Sequence, residues 1–332
     1  MDSNPTMKLF SRREMLLGAA GLAGGALAAR FLPGSIVRAA APGLPQQKSM
    51  AEQIAAMRAQ FGAIPMQMQP LTDSLTLLSG PGGNVVVLNG ADGKLMGDTF
   101  VQPVWPHLKD TLDSIGKAPL KTVVDTHWHF DHSDNNVNVR AAGATIVAHE
   151  NTKKRMSETH TLAVLNVTFP PSPANALPQQ TFAQNHKITM NGETVALVHV
   201  PPAHTDSDIY LHFEKANVIQ SGDIFFNGIF PYIDDSTGGS VSGMIGATEK
   251  LLAVADNNTK IVPGHGPLGN KADVKKFHDM LSMVRDRLQK LKSSGKTMEE
   301  AIAAKPLEDL DPVWGGGMFK GAMFVQVAYP AL

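Results

Sequence analysis

The sequence HWHFDH, which begins at His127, carries three imidazoles and one carboxylate within six residues. These side chains bind zinc and similar divalent cations without the help of a thiolate. Residues 120–125, just before it, have the pattern of a buried strand, and alternate residues of an extended chain share a face. His127 and His129 are therefore predicted to hold one metal ion together. Asp131 and His132 follow where the chain turns, and they are predicted to face a second one.

Three later segments each place one metal-binding side chain just after a short apolar run. These side chains are His204, Asp223 and His265. A strand end that runs into a loop is where a rigid scaffold presents site residues. Each segment alone is a weak signal, because a histidine after a strand is commonly just hydrogen-bonded and a Gly-Asp pair is usually a turn. Their joint occurrence with the first cluster, in this order, predicts a shared metal centre.

The four segments together resemble the motif signature of the metallo-β-lactamase-fold hydrolases, over about Thr72 to Leu268. The resemblance implies a first metal held by His127, His129 and His204 and a second held by Asp131, His132 and His265. It implies that Asp223 bridges the two metals. It also implies the fold, an α/β structure of the αββα sandwich type, with two central mixed sheets, helices on the outer faces and the metals at one edge.

The chemistry of such a centre is hydrolysis. Two divalent cations about 3.5–4 Å apart can share a water or hydroxide, and bound zinc lowers the pKa of its water to about 7. We therefore expect a metal-bound hydroxide to attack an ester, thioester, lactone or lactam. Asp131 is the predicted catalytic residue, since its free oxygen can orient the hydroxide and pass a proton to the leaving group. The expected cofactors are two divalent ions, Zn²⁺ in the first place and Mn or Fe as alternatives, because these metals accept the same ligands.

Three other functions stay open. The first is a periplasmic class B-like β-lactamase. Class B β-lactamases typically carry Cys or Ser at the family's fourth motif, where this chain has Asp223. Aspartate resembles the thioesterase, lactonase and wider hydrolase branches, although export to the periplasm would suit a β-lactamase. An iron-dependent, persulfide dioxygenase-like oxidoreductase is another alternative and would need only one metal. A non-catalytic periplasmic binding protein is the third, and the intact ligand set argues against it.

Strands alternate with helices along residues 72–295, which indicates a layered α/β architecture. Capping boxes at Ser49 and Thr297 predict that helices begin there. Another helix is predicted from Asp134 to Ala142. Four prolines between Phe169 and Gln180 predict a surface loop that overhangs the site.

Some residues near the predicted centre have more than one interpretation. Thr205 and Asp208 are expected to orient the His204 imidazole. Trp314 begins a glycine-rich segment that is either a turn or a contact with another subunit. An apolar substrate wall and ordinary packing beneath the site are equally compatible with a group of residues after Asp223, namely Phe225, Phe226, Phe230, Pro231 and Tyr232.

Length and composition limit the remaining possibilities. The 332 residues, 43% of them hydrophobic, suffice for one large domain. A net charge of −1 offers no basic footprint for nucleic acid, so the expected partner is a small-molecule substrate. The chain has no cysteine, which excludes disulfides, thiolate ligands and iron–sulfur clusters. The oligomeric state is left open.

Residues 1–41 resemble a twin-arginine secretion signal. Arg12 and Arg13 precede an apolar, Ala/Gly-rich run to Leu32, and residues 39–41 are alanines suited to cleavage. This pattern predicts the twin-arginine export machinery as a partner, a periplasmic or secreted mature protein and no stable membrane insertion after cleavage. A membrane anchor is the alternative. The predicted domains are then a linker and helix at 42–71, a hydrolase domain at 72–295 and a C-terminal helical extension at 296–332 on the same domain.

Overall fold

The computed structural model describes residues 49–332, which form two β-sheets packed face to face between layers of helices. The strands are β1 Gln67–Pro70, β2 Leu75–Gly80, β3 Gly82–Gly90, β4 Gly93–Gly97, β5 Leu120–Asp125, β6 Thr145–His149, β7 His160–Leu162, β8 Val167–Phe169, β9 Gln180–Phe182, β10 Asn185–Met190, β11 Glu193–His199, β12 Ile209–Phe213, β13 Val218–Gln220 and β14 Lys260–Val262. The helices are α1 Met50–Gly62, α2 Trp105–Ile115, α3 Phe130–Ser133, α4 Asn136–Ala141, α5 Glu150–Met156, α6 Val241–Val254, α7 Lys271–Ser293, α8 Met298–Ala303, α9 Asp311–Trp314 and α10 Gly321–Ala328.

The predicted signal peptide at 1–41, and the part of the predicted linker up to residue 48, lie outside the described residues. Within residues 49–332, every helix is too short or too polar to span a bilayer.

Both sheets are mixed. The first has seven strands in the order β1-β2-β3-β4-β5-β6-β9, antiparallel as far as β4 and parallel from β4 onward. The second has five strands in the order β10-β11-β12-β13-β14, and its only parallel pair is β13 with β14. Strands β7 and β8 form a separate hairpin.

The alternation of side chains along each strand builds the layers. In the first sheet, Val86 and Leu88 face the second sheet and pack with Leu197 and Leu211. Val87, between them, faces the opposite way and packs in the cluster that includes α2. Side chains of β13 and β14 on the outer face of the second sheet pack with α6, α7 and α10. The predicted αββα sandwich is therefore confirmed.

The capping boxes predicted at Ser49 and Thr297 both form, and they begin α1 and α8. The helix predicted from Asp134 to Ala142 is present but shorter, because α3 ends at Ser133 and α4 begins only at Asn136 and ends at Ala141. The Asp134 carboxylate accepts hydrogen bonds from Arg58 and from the backbone N–H of Gln102. These bonds tie the junction of the two helices to neighbouring segments.

The proline-rich stretch between Phe169 and Gln180 is a mostly exposed loop, as predicted. A short 3-10 helix, Ala174–Ala176, lies between β8 and β9. Phe169 and Ala176 are buried in one cluster with Trp128, so this segment covers the side of the HWHFDH turn that carries the tryptophan.

Candidate metal centre

The seven predicted ligands come together at one edge of the sandwich. Strand β5 leads into the segment from His127 to His132, and the parallel neighbours β13 and β14 lead to Asp223 and His265. His204 lies in the loop between β11 and β12. The carboxyl ends of parallel strands meet at one edge of a sheet. Because the two sheets pack face to face, the strand ends of both sheets lie close together at that edge.

The first group consists of His127, His129, His204 and Asp223. One nitrogen or oxygen of each lies within 4.8 Å of the others. His129 Nδ1 is 2.8 Å from His204 Nε2, and Asp223 Oδ2 is 3.4 Å from His204 Nε2 and 3.9 Å from His127 Nε2. All four side chains are buried.

The second group consists of Asp131, His132 and His265, which meet the same 4.8 Å limit. Asp131 Oδ2 lies 3.3 Å from His265 Nε2 and 3.8 Å from His132 Nε2. His132 Nε2 and His265 Nε2 are 3.4 Å apart. Asp131 and His132 both lie in α3, a single helical turn that begins directly after His129.

Asp223 faces both groups, with a different oxygen toward each. Its Oδ2 faces His204 as described, whereas its Oδ1 lies 3.1 Å from His132 Nε2 and 3.5 Å from His265 Nε2. The carboxylate therefore stands between the two sets of imidazoles.

Outward hydrogen bonds determine which nitrogen of each first-group ring turns inward. His129 donates from Nε2 to Asp234 Oδ2 at 3.2 Å, and His204 donates from Nδ1 to the Tyr232 carbonyl at 2.8 Å. Because both outer partners are acceptors, both rings carry their proton outward. Their unprotonated nitrogens, His129 Nδ1 and His204 Nε2, point at each other.

His132 and His127 follow the same rule. His132 donates from Nδ1 to Asp98 Oδ2 at 2.9 Å. His127 donates from Nδ1 to Thr126 Oγ1 at 3.1 Å, since the Thr126 hydroxyl itself donates to Asp98. Nε2 of each ring again faces the centre.

These inward atoms fit divalent cations. His127 Nε2 and Asp223 Oδ1 are buried and form no hydrogen bond, and buried polar atoms are normally satisfied. In the first group, nitrogen lone pairs and a carboxylate oxygen converge, and a bound cation would satisfy them. Neutral imidazole and carboxylate are also the ligands that zinc and similar metals take.

The two groups differ electrostatically. Burial lowers the pKa of His127 well below its usual range and that of His204 to about 4. Burial acts the same way on His265, but Asp223 and Asp131 outweigh it and raise the pKa of His265 to about 9. His127 and His204 in the first group thus present neutral imidazoles, the form that binds metal, whereas His265 in the second must release a proton for a cation to bind.

Two glycines make room for the ligands. A Cβ on Gly83 would lie 1.9 Å from the His132 ring, and a Cβ on Gly264 would lie 1.9 Å from Asp223 Oδ1. No real Cβ tolerates such distances, so the backbone of β3 and the loop after β14 can approach the centre only as glycine.

Sequence reasoning missed Asp98 and Asp234, the two carboxylates that hold His132 and His129 from outside. Both are fully buried. Asp98 follows β4, the parallel neighbour of β5, and its φ of 65° is uncommon for a residue other than glycine. An aspartate directly after a predicted strand beside the metal strand was the one available signal, and nothing in the sequence around Asp234 marked it.

The expectation for Asp208 and Thr205 is wrong. Asp208 accepts hydrogen bonds from the backbone N–H groups of His204 and Thr205 and from the Thr205 hydroxyl. It therefore holds the loop, while the Tyr232 carbonyl orients the imidazole. Burial raises the pKa of Asp208 to about 7.

The aromatic residues after Asp223 divide between the two interpretations. Phe225 and Phe230 are buried and pack with Phe277 and Phe324, so they serve the core. Phe226 is also buried but stacks on His265, with ring centres 5.3 Å apart.

Tyr232 stays half-buried beside the first group, with its ring centre 5.9 Å from that of His129. The glycine-rich segment supports this loop, since the Trp314 carbonyl accepts a hydrogen bond from the backbone of Phe230 and Phe319 stacks on Tyr232.

The segment that carries most of the fold and all seven side chains matches a known protein family. A family model described as the metallo-β-lactamase superfamily matches residues 78–265, more than half of the chain. Acyl-coenzyme A thioesterase MBLAC2 of Gallus gallus is 26% identical over 169 residues, which cover 46% of this chain and 58% of that protein. The β-lactamase-like protein 2 homolog of Drosophila melanogaster is 25% identical over 214 residues, which cover 59% of this chain and 65% of that protein. The matches thus span less than two thirds of either relative.

Solved structures share the fold. A metallo-β-lactamase from Pontibacter korlensis superposes with a TM-score of 0.54 at 17% identity, over 66% of this chain and 99% of that one. The DIM-1 metallo-β-lactamase exposed to ceftazidime superposes with a TM-score of 0.55 at 14% identity, over 67% and 99%. At these identities the likeness extends to the architecture alone.

Proposed function

Because the chain belongs to the metallo-β-lactamase superfamily, we propose that it is a dinuclear-metal hydrolase that cleaves a thioester or ester bond. The metals would be held by His127, His129 and His204 on one side and by Asp131, His132 and His265 on the other, with Asp223 between them. When bound, such a pair supplies Lewis acidity and a water of lowered pKa.

The position of Asp223 carries the proposal. Its Oδ2 lies 3.4 Å from His204 Nε2 and its Oδ1 lies 3.1 Å from His132 Nε2. A carboxylate that turns one oxygen to each of two nitrogen clusters suits two cations, whereas a single cation would use one cluster and leave the other without a partner.

Asp131 is proposed to handle the proton. Its Oδ2 is directed at the two imidazoles of the second group, which leaves Oδ1 to orient a water and to pass a proton to the leaving group. A carboxylate suits this role because it can accept a proton and return it within one turnover.

The lack of lysine and arginine in the ion pairs of the centre, among residues 49–332, supports a neutral acyl substrate. Among residues 49–332, the salt bridges of the seven side chains involve one another, Asp98 and Asp234 but no lysine or arginine. A free carboxylate on the substrate, as in a β-lactam, would therefore have no side-chain partner of opposite charge there. The name of the Gallus gallus relative, an acyl-coenzyme A thioesterase, points the same way.

A substrate screen tests the proposal. The protein is purified without chelator, its metal content is measured, and portions are loaded with Zn²⁺, Mn²⁺ or Fe²⁺. Each portion is then assayed on acyl-coenzyme A thioesters, nitrophenyl esters, lactones and nitrocefin. We expect thioester or ester cleavage to exceed nitrocefin cleavage by at least about tenfold, a difference of about 1.4 kcal/mol in transition-state binding.

Three other results of the screen would contradict the proposal. Nitrocefin as the best substrate would favour the class B-like β-lactamase. One iron per chain with persulfide-dependent oxygen uptake would favour the dioxygenase-like oxidoreductase. A folded protein that takes up no divalent ion would end the metallohydrolase assignment.

We also propose that the protein is exported by the twin-arginine machinery to the periplasm or beyond. The support is the pattern around Arg12 and Arg13 and the alanines at 39–41. The full chain, expressed in a bacterium, is expected in the periplasmic fraction with a new N-terminus near residue 42. The same chain with Arg12→Lys and Arg13→Lys is expected in the cytoplasm, and equal export of both would contradict the proposal.

A further inference from the structure

One loop supports both the histidines His129 and His204, although these two ligands lie 75 residues apart in the sequence. We call residues 232–240 the support loop. It runs from Tyr232, whose carbonyl accepts from the His204 ring, to Ser240, which caps α6. Asp234, near its beginning, contacts the His129 ring.

Three hydrogen-bond donors surround the Asp234 carboxylate. Its side chain is fully buried, and its Oδ2 accepts from His129 Nε2 at 3.2 Å and from the Thr237 hydroxyl at 2.6 Å. Its Oδ1 accepts from the Ser236 hydroxyl at 2.6 Å. These three hydrogen bonds fix the orientation of the Asp234 side chain against the His129 ring.

The backbone of the support loop holds the His204 segment at the same time. The N–H of Asp234 donates to the His204 carbonyl at 2.9 Å, and the N–H of Ser240 donates to the Ala203 carbonyl at 2.9 Å. A Cβ on Gly239 would lie 2.3 Å from the His204 carbonyl oxygen. The loop thus packs directly on the strand-to-strand turn that carries His204.

The second group takes its outer support elsewhere. His132 donates to Asp98, which follows β4. Asp98 also reaches the first group, through Thr126 and His127. Asp234 is therefore the buried carboxylate whose ring contact is confined to the first group.

We propose that Asp234 is a positioning residue for the first metal. It keeps the proton of His129 on Nε2, so that Nδ1 faces inward, and the support loop couples that ring to His204. The inference rests on the proposed function, because it concerns the metal bound there. Loss of such an outer partner typically weakens metal affinity or activity by about 10–100-fold.

The test compares three variants of the full chain. Asp234→Asn keeps the shape and can still accept a hydrogen bond from His129, but it removes the charge. Asp234→Ala removes both. Asp235→Asn removes the same charge one residue away, at an exposed position whose side chain makes no hydrogen bond to the histidines, and it is the matched control.

Metal binding is measured apart from activity. Co²⁺ is titrated into each metal-free variant while its visible absorption is followed, and affinity is obtained by competition with a chromogenic chelator. We expect Asp234→Asn to weaken Co²⁺ binding at the first group about 10-fold and Asp234→Ala up to about 100-fold, with a shifted Co²⁺ spectrum in both. Asp235→Asn should match the unaltered protein.

The melting temperature of each metal-free variant separates positioning from folding. An Asp234→Asn protein with the spectrum and affinity of Asp235→Asn would overturn the inference. So would a loss of affinity that merely follows unfolding of the metal-free protein. These results differ from failure of the proposed function, in which the unaltered protein itself binds no Co²⁺.

Discussion

At the scale of single residues, the centre is defined by which ring nitrogen each histidine turns inward. Residue type alone leaves this undecided, because a neutral imidazole can carry its proton on either nitrogen. The outer acceptors decide it, namely Asp234 for His129, Asp98 for His132 and the Tyr232 carbonyl for His204. The assignment of the seven side chains as metal ligands, made from the sequence, stays a prediction. The seven side chains do converge in two groups.

Asp131→Asn is expected to lower turnover at least about 100-fold, as for loss of a general acid or base. The amide cannot take up the proton, although it can still approach His265 through its carbonyl oxygen. Steady-state kinetics on the best substrate of the screen, with metal content measured in parallel, checks this. Near-normal turnover in the metal-loaded variant would rule out the proton-transfer role.

At the scale of elements, the ends of parallel strands and the glycines beside them create the site. β4 and β5 present Asp98 and the HWHFDH segment from one sheet, and β13 and β14 present Asp223 and His265 from the other. The sequence predicted most of these strands because their apolar β-branched runs are strong signals. It placed the start of the helix at 134–142 two residues too early, because the Asp134 carboxylate accepts from the backbone of the distant Gln102 and α4 begins only at Asn136.

Gly83→Ala is expected to weaken metal binding at the second group at least about 10-fold, since the new methyl group must displace the His132 ring. The His132 side chain is fully buried and bonded to Asp98, so it has little freedom to move aside. Metal stoichiometry under chelator competition measures the effect.

Gly246→Ala serves as the control for that substitution. It lies within α6, and a Cβ there meets nothing within 4 Å. It should leave metal binding unchanged and stabilise the helix by up to about 1 kcal/mol. Equal metal binding by the two variants would show that β3 does not need a glycine at position 83.

At the scale of the whole molecule, the sandwich brings together ligands that lie far apart in the sequence. His132 and His265 are 133 residues apart, yet their ring nitrogens are separated by 3.4 Å. The inner core between the sheets and the outer helical layers hold this edge from both sides. A cation at the centre would therefore join segments from both sheets, and metal binding should contribute to global stability.

Removal of metal is expected to lower the melting temperature. A ligand that binds only the folded state at 100 times its Kd stabilises it by about 2.7 kcal/mol, which for a domain of this size corresponds to roughly 5 °C. Thermal unfolding is compared in chelator and with added Zn²⁺, each at constant ionic strength. A melting temperature unaffected by either would mean that the seven side chains do not bind metal in the folded protein.

The sequence by itself determined the chemistry available to this protein. The types and order of the seven side chains, the strands that precede them and the lack of cysteine are local properties, and they sufficed for the metal-centre hypothesis. The alternation of strands and helices indicated a layered α/β architecture, and the sandwich fold followed from the family resemblance. Tertiary structure decided how those side chains are used. The contact of Asp234 with His129 spans 105 residues and that of Asp98 with His132 spans 34. Such contacts depend on how the two sheets face each other, and no short-range pattern encodes that arrangement.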